Sequence, residues 1–190
     1  MNTQPDRFIK EAGNAGMKVG FLRFARERYS VRSFSDKPVE KEKIDAILTA
    51  AQLAPTAVNY QPQMIYVLKS ESAMSKINRL CRCIYGAPMV FLICSDERKT
   101  WKSPTERGYS AGEMDCSIVC THMMLEAWEQ GLGSVWVRLF DVEAVAKAFG
   151  LPAYIKPICL LPVGYASEDS VPYACWHDEF RDISEFTEEL

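Results

Sequence analysis

Residues 88–94 read PMVFLIC, seven positions without a charged or hydrogen-bonding polar side chain. The run is too short to cross a membrane, and its length suits a strand in the middle of a sheet. Two further runs, MIYVL at 64–68 and ICLLPVGY at 158–165, read as buried strands, and SVWV at 134–137 as a short one. Helical patterns separate them. In the segment 40–53, Ile44, Ile47, Leu48 and Ala51 follow the 3, 1, 3 spacing of a buried stripe. That helix must stop near Ala54, because Pro55 disfavours the helical conformation in the residue before it. Helices are also predicted over 17–28 and 71–83. The longest is predicted over 111–129, with Met114, Ile118, Leu125 and Trp128 sharing a face and Gly131 closing it. A last helix at 142–149 is capped by Asp141 and ended by Gly150. The order interleaves helices and strands. It contains no G-x-G-x-x-G fingerprint and no P-loop, which argues against a dinucleotide-binding Rossmann domain.

The chain of 190 residues suits one domain, here bounded as an N-terminal arm at 1–16, a body at 17–176 and an acidic C-terminal arm at 177–190. The last stretch carries six acids against one arginine. Overall, 22 basic and 25 acidic residues give a formal charge of −3, which argues against a nucleic-acid partner. No membrane partner is expected, since no apolar run is long enough to span a bilayer and the first residues lack an apolar signal core. Seven scattered cysteines then read as reduced thiols of a cytoplasmic protein. Two histidines, with no ligand spacing around them, make a metal site unexpected.

Three segments can carry chemistry. Residues 21–32 hold four arginines and one glutamate, a local charge of +3 in an acidic chain. Arg28, Ser30 and Arg32 are two apart, so in an extended segment they point the same way. Two guanidiniums and a hydroxyl converging on one spot suit a phosphate monoester; the plainer alternative is a basic helix end followed by a solvated turn. The second segment, APTAVNYQP at 54–62, brackets the carboxamides of Asn59 and Gln61 between prolines. Carboxamides donate and accept at once, as the mixed edge of a heterocycle requires, or they satisfy the loop's own backbone. The third is GLGSVW at 131–136, where Gly133 permits close approach of a flat ligand to the main chain.

Together these segments resemble the nitroreductase family of flavin-dependent oxidoreductases. The matching stretches are RYSVRSF (28–34), IDAILTAAQLAPTAVNYQP (44–62) and GLGSVWV (131–137). LLPVGY (160–165) is similar to the family's final strand, and SAGEMDCSIVCTHMML (110–125) to its central helix. The resemblance spans about residues 24–166. It implies an α+β nitroreductase-like fold, a central and mainly antiparallel sheet flanked by helices, built as an intertwined homodimer with FMN at the interface. It implies that Arg28 and Ser30 hold the phosphate and ribityl end, with Arg32 at the N1/O2 edge of the ring. Pro55, Thr56, Asn59 and Gln61 come from the partner chain, and Gly133 and Ser134 offer backbone N–H groups near N5 and O4. Tyr29 and Leu132, inside the matched segments, are carried with them as cofactor-binding residues. A permanent cation at N1/O2 favours two-electron chemistry, and no catalytic side chain is needed because the cofactor carries the hydride.

The implied activity is hydride transfer from NADH or NADPH to electron-poor small molecules (nitroaromatics, quinones or enones) by a ping-pong mechanism. An FMN-binding electron carrier without nicotinamide-driven turnover, and a folded dimer that has lost the cofactor, are the alternatives. One departure stands out. After the last strand most members carry a basic K-x-R stretch, whereas this chain reads YACWH at 173–177. His177 is the one titratable candidate there, which implies a looser grip on FMN. Trp101, in the loop before the long helix, is a candidate wall of the substrate pocket.

Overall fold

The structure, a computed structural model, describes residues 20–190. The arm expected at 1–16, and the first residues of the helix expected from 17, lie outside the described residues. The elements in chain order are α1 (Phe21–Glu27), α2 (Lys41–Leu53), β1 (Gln63–Leu68), α3 (Glu71–Leu80), β2 (Met89–Asp96), α4 (Gly112–Glu129), β3 (Gly133–Ser134), α5 (Val142–Ala148), β4 (Ile155–Gly164) and α6 (Ala174–His177). The strands form one antiparallel sheet in the order β1-β2-β4-β3.

Every residue of β2 is buried, and the sheet explains why its sequence carries no polar side chain before Ser95 and Asp96 at its end. Successive side chains of a strand point to opposite faces. Met89, Phe91 and Ile93 enter a core shared with Ile44, Ile47 and Ala51 of α2 and with Cys116, Val119, Cys120, Met123 and Ala127 of α4. Val90, Leu92 and Cys94 enter a second core with Ile77 of α3, Val145 of α5, Val31 and Leu160. Both faces are covered, so alternation has no polar side to show.

Two expectations change in detail. β3 is only two residues long, although Val137 bridges Leu160 beyond it. The amide of Val135 donates to Pro162 O at 3.3 Å, and a proline has no N–H to return the bond. On α4 the residues turned into the chain's own core are Cys116, Val119, Cys120, Met123 and Ala127, whereas Met114 is 58% exposed and Ile118, Leu125 and Trp128 are half-buried. The helix is apolar on more than one side, and apart from Met123 small side chains occupy the side that meets the sheet. α2 ends as expected, Ala54 turning out of the helix with ψ 137° before Pro55. Among the described residues no helix is long and apolar enough to cross a membrane.

Candidate functional site

After α1 the chain extends. Arg28 ends the helix with ψ 128°, and the following residues are pinned along the edge of the sheet. Ser30 bridges Ser134 in parallel, the Val31 amide donates to Ser134 O at 3.0 Å, and the Ser35 amide donates to Tyr165 O at 2.9 Å. Val31 points inward and is fully buried, so Arg28, Ser30 and Arg32 emerge on the other side, half-buried. Two of the three segments singled out in the sequence, 28–32 and 133–134, therefore meet. Leu132 is buried in the core beside them. Gly133 answers to packing: a Cβ there would lie 2.5 Å from Cγ2 of Val31 and 2.9 Å from its Cβ.

Arg28 is suited to an anion. Its guanidinium has no hydrogen-bond or ion-pair partner among the described residues, and partial burial pulls its pKa down. A half-desolvated, unpaired cation gains most from a ligand that carries negative charge. Arg32 is held differently. Its Nη1 donates to Ser30 O at 3.1 Å, and its guanidinium lies 4.8 Å from the ring centre of Trp176 and 5.4 Å from that of Tyr173. Tyr29 donates its hydroxyl proton to Ser170 O at 3.2 Å and packs edge-on against Trp128 and His177. Thus His177 is at the site, edge-on to Tyr29. Arg181, the next cation along, is taken up by Glu185 at 3.1 Å.

The third segment stands elsewhere. The Ala57 amide donates to the buried Asp115 carboxylate (Oδ1, 2.9 Å) near the start of α4, and Pro62 O accepts from the amide of Asp96 at the end of β2. Within the loop Thr56 Oγ1 accepts from the Gln61 amide and Asn59 Oδ1 from Gln61 Nε2; Pro55 is exposed. Val58, Asn59 and Gln61 all have positive φ, at 46°, 58° and 49°. For a β-branched residue such as Val58 this is an outlier, and such strain collects at functional sites. Trp101 lies at this same end, half-buried edge-on to Tyr109, its carbonyl accepting from the Ala111 amide just before α4. The ends of β2 are far apart: Met89 pairs with Val163, itself beside Ser134, while Asp96 is bonded to Pro62. Eight residues of strand separate them by about 23 Å. One chain does not bring Asn59 and Gln61 to its own Arg28.

Sequence reasoning passed over Asp115, Tyr173 and Trp176. Asp115 sits on the long helix as one acid among many, and its second oxygen is buried without a partner among the described residues. The aromatic pair falls in the segment read as lacking cations, and the replacement itself was the available signal.

A sequence profile described as the nitroreductase family matches residues 25–85 and 80–165. A Methanothermobacter thermautotrophicus protein, provisionally named NADH dehydrogenase/NAD(P)H nitroreductase, is 30% identical over 159 residues, 80% of each chain. A crystal structure of a nitroreductase family protein from Clostridium difficile 630 is 37% identical with TM-score 0.82, covering 89% of this chain and 97% of that one. An FMN-dependent nitroreductase from Clostridium difficile R20291 is 26% identical with TM-score 0.67, covering 80% and 91%.

Proposed function

The chain belongs to the nitroreductase family, and from that premise we propose a homodimeric, FMN-dependent reductase. It oxidises NADH or NADPH and reduces electron-poor small molecules, nitroaromatics, quinones or enones, by a ping-pong mechanism. When bound, FMN supplies two-electron exchange with the nicotinamide and then with the acceptor. The chain's own residues bind and orient. Arg28 and Ser30 take the phosphate end, and Arg32 sets a permanent positive charge at the pyrimidine edge of the ring. Gly133 and Ser134 border it from the sheet, with Tyr29, Leu132 and His177 packed around them. Asn59 and Gln61, with Pro55 and Thr56, cover the ring from the partner, whose Trp101 loop walls the substrate pocket.

The observation that carries this reading is the separation of the two half-sites along β2. A twofold partner supplies the missing half. The uncovered side of α4, with Met114 exposed and Ile118 and Leu125 half-buried, supports such an interface, as do Phe180, Ile183 and Phe186 on the acidic arm at 177–190. All seven cysteines are free thiols, which supports a reducing, cytoplasmic compartment.

The test begins with the purified protein: released cofactor identified as FMN, a dimer in sedimentation, and flavin bleached rapidly by NADH or NADPH. Parallel double-reciprocal plots with a quinone acceptor are expected. A stable monomer at micromolar concentration refutes the shared site, intersecting plots refute the ping-pong order, and failure of both nicotinamides to bleach the flavin favours an electron carrier.

A further inference from the structure

The segment 173–180 runs antiparallel to the segment 26–32, ring by cation. Arg26 lies over the Phe180 ring at 5.7 Å, Tyr29 meets His177 edge-on at 6.2 Å, and Arg32 faces both Trp176 and Tyr173. The last two rings meet each other edge-on at 5.1 Å. As one segment advances the other retreats, so the tail forms a strap along the very residues that carry the candidate phosphate ligands. Trp176 remains 69% exposed and Tyr173 51% exposed. Burial in the core is therefore not what places these large rings here.

Their chemistry differs from that of a basic pair. A second cation beside Arg32 would add charge but also repel the guanidinium already there. A ring takes the flat face of the guanidinium, while its N–H donors lie in the plane and point outward. Ser30 O uses Nη1 and the Tyr85 hydroxyl engages the same side chain, and rings set against the guanidinium leave its other in-plane donors to meet an acceptor. An unstacked arginine would lose side-chain freedom on binding a ligand; a stacked one has already lost part of it.

We propose that Tyr173 and Trp176 are positioning residues for the flavin: set against Arg32 from two directions, they hold its donor edge toward the cofactor in place of a basic pair. This rests on the FMN reading above. It assigns a role to a segment whose sequence departs from the family pattern, and makes the strap a determinant of flavin affinity and redox balance.

The test uses the full-length protein stripped of flavin and titrated with FMN, followed by quenching of flavin fluorescence. The double variant Tyr173→Ala/Trp176→Ala is expected to bind FMN about five- to thirty-fold more weakly, the range for loss of partly desolvated cation–ring contacts. Tyr173→Phe/Trp176→Phe keeps the ring faces and is expected to stay within about twofold of the wild type. The midpoint potential of the flavin bound to the alanine variant is expected to move to more negative values, because a loosened Arg32 stabilises the reduced ring less; a strap that merely supported the fold would not move it. Trp176→Ala alone, at an exposed position, gives the same directions should the double variant fold poorly. Wild-type affinity and potential in the alanine variants overturn the strap and leave the FMN reading standing, as does a phenylalanine pair as weak as the alanine pair. A wild-type chain that takes up no FMN overturns both.

Discussion

Gly133→Ala is a small substitution with a large expected consequence. The added methyl would sit 2.5 Å from Cγ2 and 3.1 Å from Cγ1 of Val31, and 2.9 Å from its Cβ. Rotating Val31 about χ1 moves its two methyls but not its Cβ, and Val31 is fully buried, so no rotamer gives relief. The gap must open by roughly an ångström, at the overpacking cost of about 1–3 kcal/mol. Because the Val31 amide is bonded to Ser134 O, the strain moves Ser30 and Arg32 against β3, and FMN affinity is expected to fall with stability. Val31→Ala alone leaves a cavity and destabilises by about 1–3 kcal/mol. Combined, the two changes are complementary: the methyls in the way are gone and only the Cβ contact remains. Urea unfolding of the wild type, both single variants and the double variant is expected to give a favourable coupling of about 1 kcal/mol or more. FMN titration of the same four proteins is expected to show partial recovery in the double variant. Additive effects, within about 0.3–0.5 kcal/mol, would refute the claim that Val31 is what keeps position 133 free of a side chain.

Two other perturbations separate binding from folding. Arg28→Met removes a half-desolvated, unpaired cation, so the unfolding midpoint is expected to stay level or rise while FMN affinity falls by tenfold or more, as for a lost charge-assisted hydrogen bond; a parallel loss of stability would show that Arg28 serves the fold. Asp96, bound through Arg98 Nε and Nη2 at 2.9 and 2.7 Å, has its carboxyl drawn down to about 2 by those bonds. The folded pKa lies below the unfolded value of about 3.9, so the contribution is complete above that pH and lost as acid approaches pH 2. Acid titration of Asp96→Asn is expected to show a shallower loss of stability below pH 4, and an unchanged slope would refute the assignment.

What the sequence disclosed depended on whether neighbours in the fold leave a periodic trace. The strand read at 88–94 was legible because burial on both faces erases alternation, and α2 because its stripe meets a single core. On the long helix the sequence showed an aligned face without showing which face meets the sheet. Periodicity reports that Met114, Ile118, Leu125 and Trp128 align, but not that Cys116, Cys120 and Ala127 sit where the sheet demands close approach. The two-residue spacing of Arg28, Ser30 and Arg32 was legible because an extended strand repeats every second residue, with Val31 turned inward between them. The contact of Arg32 with Trp176 joins positions 144 residues apart, and a cation over a ring has no period to read. Asp115 was invisible for a related reason: its acceptor role depends on where the loop carrying Ala57 folds back.

The distance along β2 has a genetic corollary. If each copy lends its 55–61 loop to the other's 28–32 segment, two differently crippled sequences can cure one another. A chain broken at Arg28, co-assembled with a chain broken at Asn59 and Gln61, leaves one pocket wholly wild type and the opposite pocket doubly damaged. Mixed dimers thus recover half the sites that neither parent possesses, so inactivity of one allele need not be inherited by the assembly that contains it.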